Sequence, residues 1–194
     1  MIKELISFAL IFQLFVLVNP LSSFPILMEA WRKKMNVRKI AFMGVLIAFL
    51  IAIFVAFFGP FLFNIFGITV DSFRIAGGLV LLLLGLDTIR DKERKTQITK
   101  VDSLISIIAT PLLTGPATIS FITIKAFEVG KLTMVTNIMA AFVLVGAVFI
   151  CFSFMIPKIN EKIVNITSKI LGLFLMGMAI EMISSGILNV IRAI

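Results

Sequence analysis

A chain of 194 residues that is 60% hydrophobic and only 14% charged, with a mean hydropathy of +1.17, carries more apolar surface than a water-soluble domain of this length can hide. Its solvent is lipid. The net charge of +8 does not indicate nucleic acid, because the basic residues fall between apolar blocks and build no single basic face. A single cysteine, Cys151, excludes an intrachain disulfide, and the absence of His removes imidazole proton shuttles and His-based metal sites, so no cofactor is expected.

A hydrocarbon core about 30 Å thick takes roughly 20 apolar residues per helix. Six blocks in the chain have that length: Leu5 to Ala30, Ile40 to Phe66, Phe73 to Ile89, Leu104 to Ala126, Met134 to Ile156 and Ile166 to Leu188. Runs such as Leu79 to Leu84 are apolar throughout and lack the period-two alternation of a membrane β-barrel. The expected fold is therefore an all-α membrane protein of six transmembrane helices in a single membrane domain, residues 1–194. The first block carries Asn and Pro in its middle and no small-x-small cleavage site, so it is expected to be kept as a span and not removed as a signal peptide.

The two halves look like copies of each other. Asn19-Pro20 in the first block matches Gly115-Pro116 in the fourth at an offset of 96, and Pro60 matches Pro157 at 97. In the third and sixth blocks Gly78-Leu79 matches Gly172-Leu173, Gly85 matches Ala179, Asp87 matches Glu181 and Ile89 matches Ile183, all at 94. Three spans per half is an odd number, so the second copy must be upside down. The expected plan is two inverted three-helix repeats, residues 1–97 and 98–194.

Pro20 and Pro116 fall near the centres of their blocks, which places the breaks near the bilayer midplane. A mid-helix proline has no N–H and clashes with the carbonyl four residues earlier, here Val16 and Leu112, at a cost of about 3 kcal/mol. In hydrocarbon the freed groups must be met by protein, water or ligand. Asn19-Pro20 also reads as an N-cap before a first-turn proline, leaving N–H groups of Leu21, Ser22 and Ser23 open. Thr114-Gly115-Pro116 offers Ala117, Thr118 and Ile119 in the same way. Inverted repeats would point these two helix starts at each other, a setting for a carboxylate on the N–H groups and an ammonium group or cation on the preceding carbonyls. The expected ligand is a compact zwitterion, since no Lys or Arg lies at that depth and the neighbouring residues are small. Kinks that bind nothing are the competing reading, because proline and glycine are common in membrane helices.

Asp87 and Glu181 are acidic residues within spans, a placement that costs at least about 2.5 kcal/mol at the bilayer centre. Glu181 is the deeper of the two. Both are candidates for coupling or gating by a proton or cation, against the alternative of structural hydrogen bonds near the interface; Gln13 is similarly ambiguous. Gly77, Gly78, Gly85, Gly172 and Gly177 read as close helix contacts, and Met176, Met178 and Met182 as packing. The Asn165-Ile166-Thr167 acceptor pattern sits at a helix end and reads as accidental.

Taken together, Val18-Asn19-Pro20-Leu21, Phe73-Arg74-Ile75-Ala76-Gly77-Gly78-Leu79 and Pro111-Leu112-Leu113-Thr114-Gly115-Pro116 resemble the MarC family, essentially end to end. The resemblance implies a carrier of small neutral amino acids such as glycine or alanine. Family members commonly follow Asn-Pro-Leu with glycine and asparagine, where this chain has Ser22 and Ser23, a departure that bears on pocket size. Two other classes compete with a carrier. A channel or an exporter for another small solute would also use half-helices. An intramembrane enzyme would need a nucleophile with a base, paired aspartates or metal ligands, which the sequence lacks.

Basic residues give the expected topology in the cell membrane. Arg32, Lys33, Lys34, Arg38 and Lys39, then Arg90, Lys92, Arg94, Lys95 and Lys100, then Lys158, Lys162 and Lys169 share one side; Lys3, Arg74, Lys125, Lys131 and Arg192 share the other. Lys and Arg accumulate on the cytoplasmic side, so both termini are expected outside, with Trp31 as an inner interfacial anchor. In a Cys151→Ser background, single cysteines near Lys131 should react with an impermeant maleimide from outside, whereas those near Lys34 and Lys95 should not. Labelling of the Lys95 loop from outside would reverse the orientation.

Overall fold

The structure, a computed structural model, describes residues 6–90, 115–156 and 159–193. Among these residues every regular element is helical. The helices are α1 (Phe8–Val18), a 3-10 turn (Pro20–Ser23), α2 (Phe24–Arg32), α3 (Val37–Phe66), α4 (Val70–Ile89), α5 (Pro116–Val129), α6 (Lys131–Met155) and α7 (Glu161–Arg192). Five stretches are long and apolar enough to span a bilayer: Phe8–Arg32, Val37–Phe61, Val70–Ile89, Lys131–Met155 and Lys162–Arg192. Of the expected fourth span, Leu104 to Thr114 lie outside the described residues and α5 forms the remainder.

Helix ends extend past the apolar blocks because the caps are polar. Asn36 Oδ1 accepts from Lys39 N–H at 3.1 Å, which starts α3 three residues before the apolar edge at Ile40. Thr69 Oγ1 accepts from Ser72 N–H at 3.1 Å and starts α4 at Val70, with Asp71 in the first turn. Asn160 Oδ1 accepts from Lys162 N–H at 2.9 Å, and α7 begins there. Pro60 lies inside α3 without ending it. The helix stops instead at Gly67, whose φ of +61° lets its N–H return to the Phe63 carbonyl.

The first span is continuous in length but not in conformation. After Val18 the chain turns left-handed at Asn19 (φ 43°, ψ 67°), whose N–H still bonds the Phe15 carbonyl at 3.0 Å. The 3-10 turn then carries it into α2. Asparagine is among the few non-glycine residues that adopt this conformation readily. This is also the interior span: 61% of its most apolar window is buried inside the protein, against 22–33% for the other four. Leu14, Leu17 and Leu27 are fully buried, and Phe24 meets Phe152 of α6 edge-on at 5.1 Å.

The most extensive packing joins α4 to α7, which run antiparallel. Glycines set their separation. A Cβ on Gly78 would lie 2.6 Å from Ile183 Cγ1 and 2.9 Å from the Ala179 carbonyl; one on Gly85 would lie 2.7 Å from Met176 and 3.0 Å from the Gly172 carbonyl. A Cβ on Gly172 would lie 3.1 Å from the Thr88 and Ile89 side chains, and one on Gly186 2.8 Å from the Asp71 carbonyl. Gly177, expected in this role, has nothing within 4 Å, because its position turns it away from α4. Around this pair, α3 packs on α5 and α6, and α1 on α5, α6 and α7.

Gly78→Val and Gly85→Val must therefore push backbone carbonyls apart, and each should destabilise the protein by about 1–3 kcal/mol, read as a lower thermal midpoint in detergent. Gly177→Ala should leave the midpoint unchanged or raise it, since alanine is the better helix former.

Candidate functional site

The interruption of the first span brings polar atoms into the protein interior. Asn19 is 4% exposed and Ser23 is fully buried, and neither the Asn19 Nδ2 and Oδ1 atoms nor Ser23 Oγ has a hydrogen-bond partner among the described residues. Pro20 is buried between them, while Leu21 and Ser22 are half-buried. An unpaired buried donor or acceptor costs about 1–3 kcal/mol. Three such atoms within five residues stand out against the general pairing of buried polar groups in native proteins.

Two details differ from the sequence expectation. Asn19 does not cap the following turn with its side chain; its left-handed backbone closes α1, which leaves the amide free to project elsewhere. The Ser22 N–H is not open, because a 3-10 turn returns it to the Asn19 carbonyl at 3.1 Å, and the Leu21 N–H is the one without a backbone acceptor among the described residues.

At the second predicted break Thr114 lies outside the described residues. Gly115 precedes α5 in extended conformation, Pro116 is its first residue, and Ala117 and Thr118 are each 2% exposed. Ile119, expected as an open donor, gives its N–H to the Gly115 carbonyl at 3.0 Å as the fourth helical residue. The 3-10 turn makes its interhelical contacts chiefly with α6 and α7, while α1 touches α5.

Sequence reasoning overlooked the rest of the polar face of α5. Ser120 and Thr123 are buried; Ser120 Cβ would be 2.6 Å from a Cβ on Gly77 of α4, and Thr123 Oγ1 would be 2.4 Å from one on Gly59 of α3. Hydroxyl residues three apart facing glycines on two neighbours are the signal that could have found them. Asn137 was overlooked as well: fully buried on α6, it accepts from Ser7 N–H at 2.8 Å and donates to the Thr133 carbonyl at 2.7 Å.

Towards the end of the bundle where α4 begins and α5 and α7 finish, a polar pocket of about 240 Å³ is lined by Arg74, Phe121, Lys125, Glu128, Glu181 and Asn189, among others. Arg74 pairs with Asp71 at 2.6 Å and with Glu128; Lys125 pairs with Glu128 at 2.8 Å, and Asn189 Nδ2 donates to Asp71 Oδ1 at 3.0 Å. Glu181 faces the same pocket, accepts from Ser185 Oγ at 3.5 Å and meets no cation at ion-pair distance among the described residues. Phe121 and Met182 also line it, and Met182 reaches Gly77 beside Ser120. Asp87 is exposed near the other end of α4, so the two predicted acids are not brought together. Met176 and Met182 pack against Gly85 and Gly77, as expected.

A family model described as MarC family integral membrane protein matches residues 4–191. The chain belongs to the MarC family. Among its relatives, a UPF0056 membrane protein of Methanocaldococcus jannaschii is 30% identical over 189 residues, covering 90% of this chain and 92% of its own length. A UPF0056 membrane protein of Buchnera aphidicola subsp. Baizongia pistaciae is 30% identical over 199 residues, covering 91% of this chain and 89% of the relative. UPF0056 membrane protein YhcE of Escherichia coli is 28% identical over 212 residues, covering 96% of each. No solved structure matches the chain. In this MarC protein the Val18 to Leu21 motif forms the left-handed step, and the Phe73 to Leu79 motif supplies Arg74 of the ion-pair network with Gly77 and Gly78 of the helix contacts.

Proposed function

We propose that this MarC protein carries small neutral amino acids of the size of glycine or alanine across the cell membrane, by alternating access around a site at the Asn19 break. The observation that carries this reading is the trio of Asn19 Nδ2, Asn19 Oδ1 and Ser23 Oγ, unpaired among the described residues and buried where the span leaves α-helix. A zwitterion complements it. Its carboxylate accepts from the amide, the hydroxyl and the Leu21 N–H, and its ammonium group donates to Oδ1 and to nearby carbonyls. The N-terminal end of α5, with Ala117 and Thr118 behind Gly115, forms the opposite wall.

Depth supports placing the two helix starts near one another along α6, within the hydrocarbon core. Across the Gly130 turn α6 starts level with the end of α5, so the 14 residues of α5 put its start about 21 Å along α6. Ser7 is held six residues down α6, and the 11 residues of α1 bring Asn19 to about 26 Å, within the roughly 37 Å length of α6.

The reciprocity of the α4–α7 contact supports the inverted repeat. Gly78 meets Ile183, and their repeat counterparts Gly172 and Ile89 meet in turn; Gly78 meets the Ala179 carbonyl, and Gly85 meets the Gly172 carbonyl. Self-complementary contact of this kind is what a two-fold axis between the repeats requires. In this reading residues 1–97 and 98–194 are the two units, and their rocking opens the site to either side. The polar pocket around Arg74, with Phe121 and Met182 in its lining, serves as the outer vestibule. Glu181, the carboxylate there without a cation partner among the described residues, couples transport to a proton or cation.

Asn19→Gly keeps the left-handed backbone while deleting the amide, and Ser23→Ala deletes the hydroxyl. Both remove unpaired polar atoms, so the solute-free protein should be as stable as before or more so. Binding of glycine and alanine should weaken roughly 10- to 100-fold, the loss of a hydrogen bond to a charged group. Isothermal titration with glycine, beside thermal unfolding without it, checks both signs. Undiminished affinity in both variants moves the site elsewhere, and a lack of glycine or alanine counterflow in proteoliposomes removes the substrate class.

Glu181→Gln should reduce or abolish the dependence of transport on pH and on sodium, while Asp87→Asn leaves it intact. The assignment to Glu181 fails if its variant keeps the ion dependence of the unmodified protein.

A further inference from the structure

Between α3 and α6 lies a groove of about 550 Å³ whose walls are apolar except at one end. There Arg38 lies over the Phe154 ring at 4.3 Å and pairs with no carboxylate among the described residues. From Arg38 the groove follows α3 past Phe42 to Phe49, eleven residues or about 16 Å of helix. That matches one leaflet, half of a hydrocarbon core about 30 Å thick. Its opposite wall includes Gly146, where an added Cβ would meet nothing within 4 Å. The missing side chain is part of what makes the groove deep.

We propose that this groove binds the acyl chain of one anionic phospholipid, with the phosphate on the Arg38 guanidinium. The occupant follows from the arrangement of charge and length. A long apolar slot the depth of one leaflet, with at its interfacial end a single cation unpaired among the described residues and no acidic lining, complements a molecule with one anionic head and an aliphatic tail. Guanidinium presents a planar fork that fits phosphate oxygens, and stacking on Phe154 holds that fork at the mouth. Arg38 also belongs to the Arg32 to Lys39 cluster, so its surroundings are basic.

The test uses the full chain in detergent, titrated with phosphatidylglycerol or phosphatidylcholine and read by native mass spectrometry and thermal unfolding. The unmodified protein should retain phosphatidylglycerol in preference to phosphatidylcholine and gain thermal stability from it. Arg38→Gln should lower that preference about five-fold, the effect of one basic residue near an anionic headgroup. Gly146→Leu fills the slot without pressing on the bundle, so it should unfold at the same temperature without lipid yet lose most retained phosphatidylglycerol. Equal retention of the two lipids by the unmodified protein overturns the proposal. So does undiminished phosphatidylglycerol binding by Gly146→Leu, or a lipid-free dimer that this substitution dissociates, which would assign the groove to a second copy.

Discussion

Hydrocarbon offers a peptide group nothing to bond with, and this requirement organises the whole bundle. A helix satisfies it without help from its neighbours, so long α3, α4, α6 and α7 can face lipid with large apolar side chains such as Phe42, Leu83, Val143 and Leu173. The interrupted first span cannot. Where the chain turns left-handed at Asn19 its backbone must be enclosed, and α6 and α7 close around the 3-10 turn while α1 lies against α5. The most interrupted segment is therefore also the most buried, although its composition is less apolar than that of α3.

Close approach elsewhere makes that enclosure possible. Gly78, Gly85, Gly172 and Gly186 let α4 and α7 meet backbone to backbone, and Gly59 and Gly77 accept hydroxyl side chains of α5. α5 also carries Ala117 and Thr118 at its start and Lys125 and Glu128 near its end. One short helix thus links the interior break to the ion-pair network around Arg74. Small residues at the contacts and charges at the rim are two answers to one solvent, since dispersion replaces the hydrophobic effect between helices in lipid.

Much of this was legible in the sequence because the governing rules are local. Proline removes a donor wherever it occurs and asparagine tolerates positive φ, so Asn19-Pro20 identified the site of interruption without a contact map. The apolar blocks located the spans, but their edges did not locate helix ends, which depend on caps such as Asn36, Thr69 and Asn160 in polar sequence. Long-range facts were hidden. Gly177 and Gly146 look like Gly85 in sequence, yet only the direction each faces decides whether it is a contact, a surface or the floor of a groove. The pairing of Arg74 with Glu128, 54 residues apart, and the isolation of the Asn19 amide depend on which helices become neighbours.

The bond from Ser7 N–H to Asn137 Oδ1 has a mechanical consequence. It ties the N-cap N–H of α1 to a buried amide whose own Nδ2 is anchored on the Thr133 carbonyl, so α1 is pinned at its far end to α6. Sliding α1 along its axis would leave a half-buried peptide N–H and a buried amide oxygen unpaired, a penalty that moving both helices together avoids. Displacement of α1 relative to α6 must therefore turn about this bond or break it.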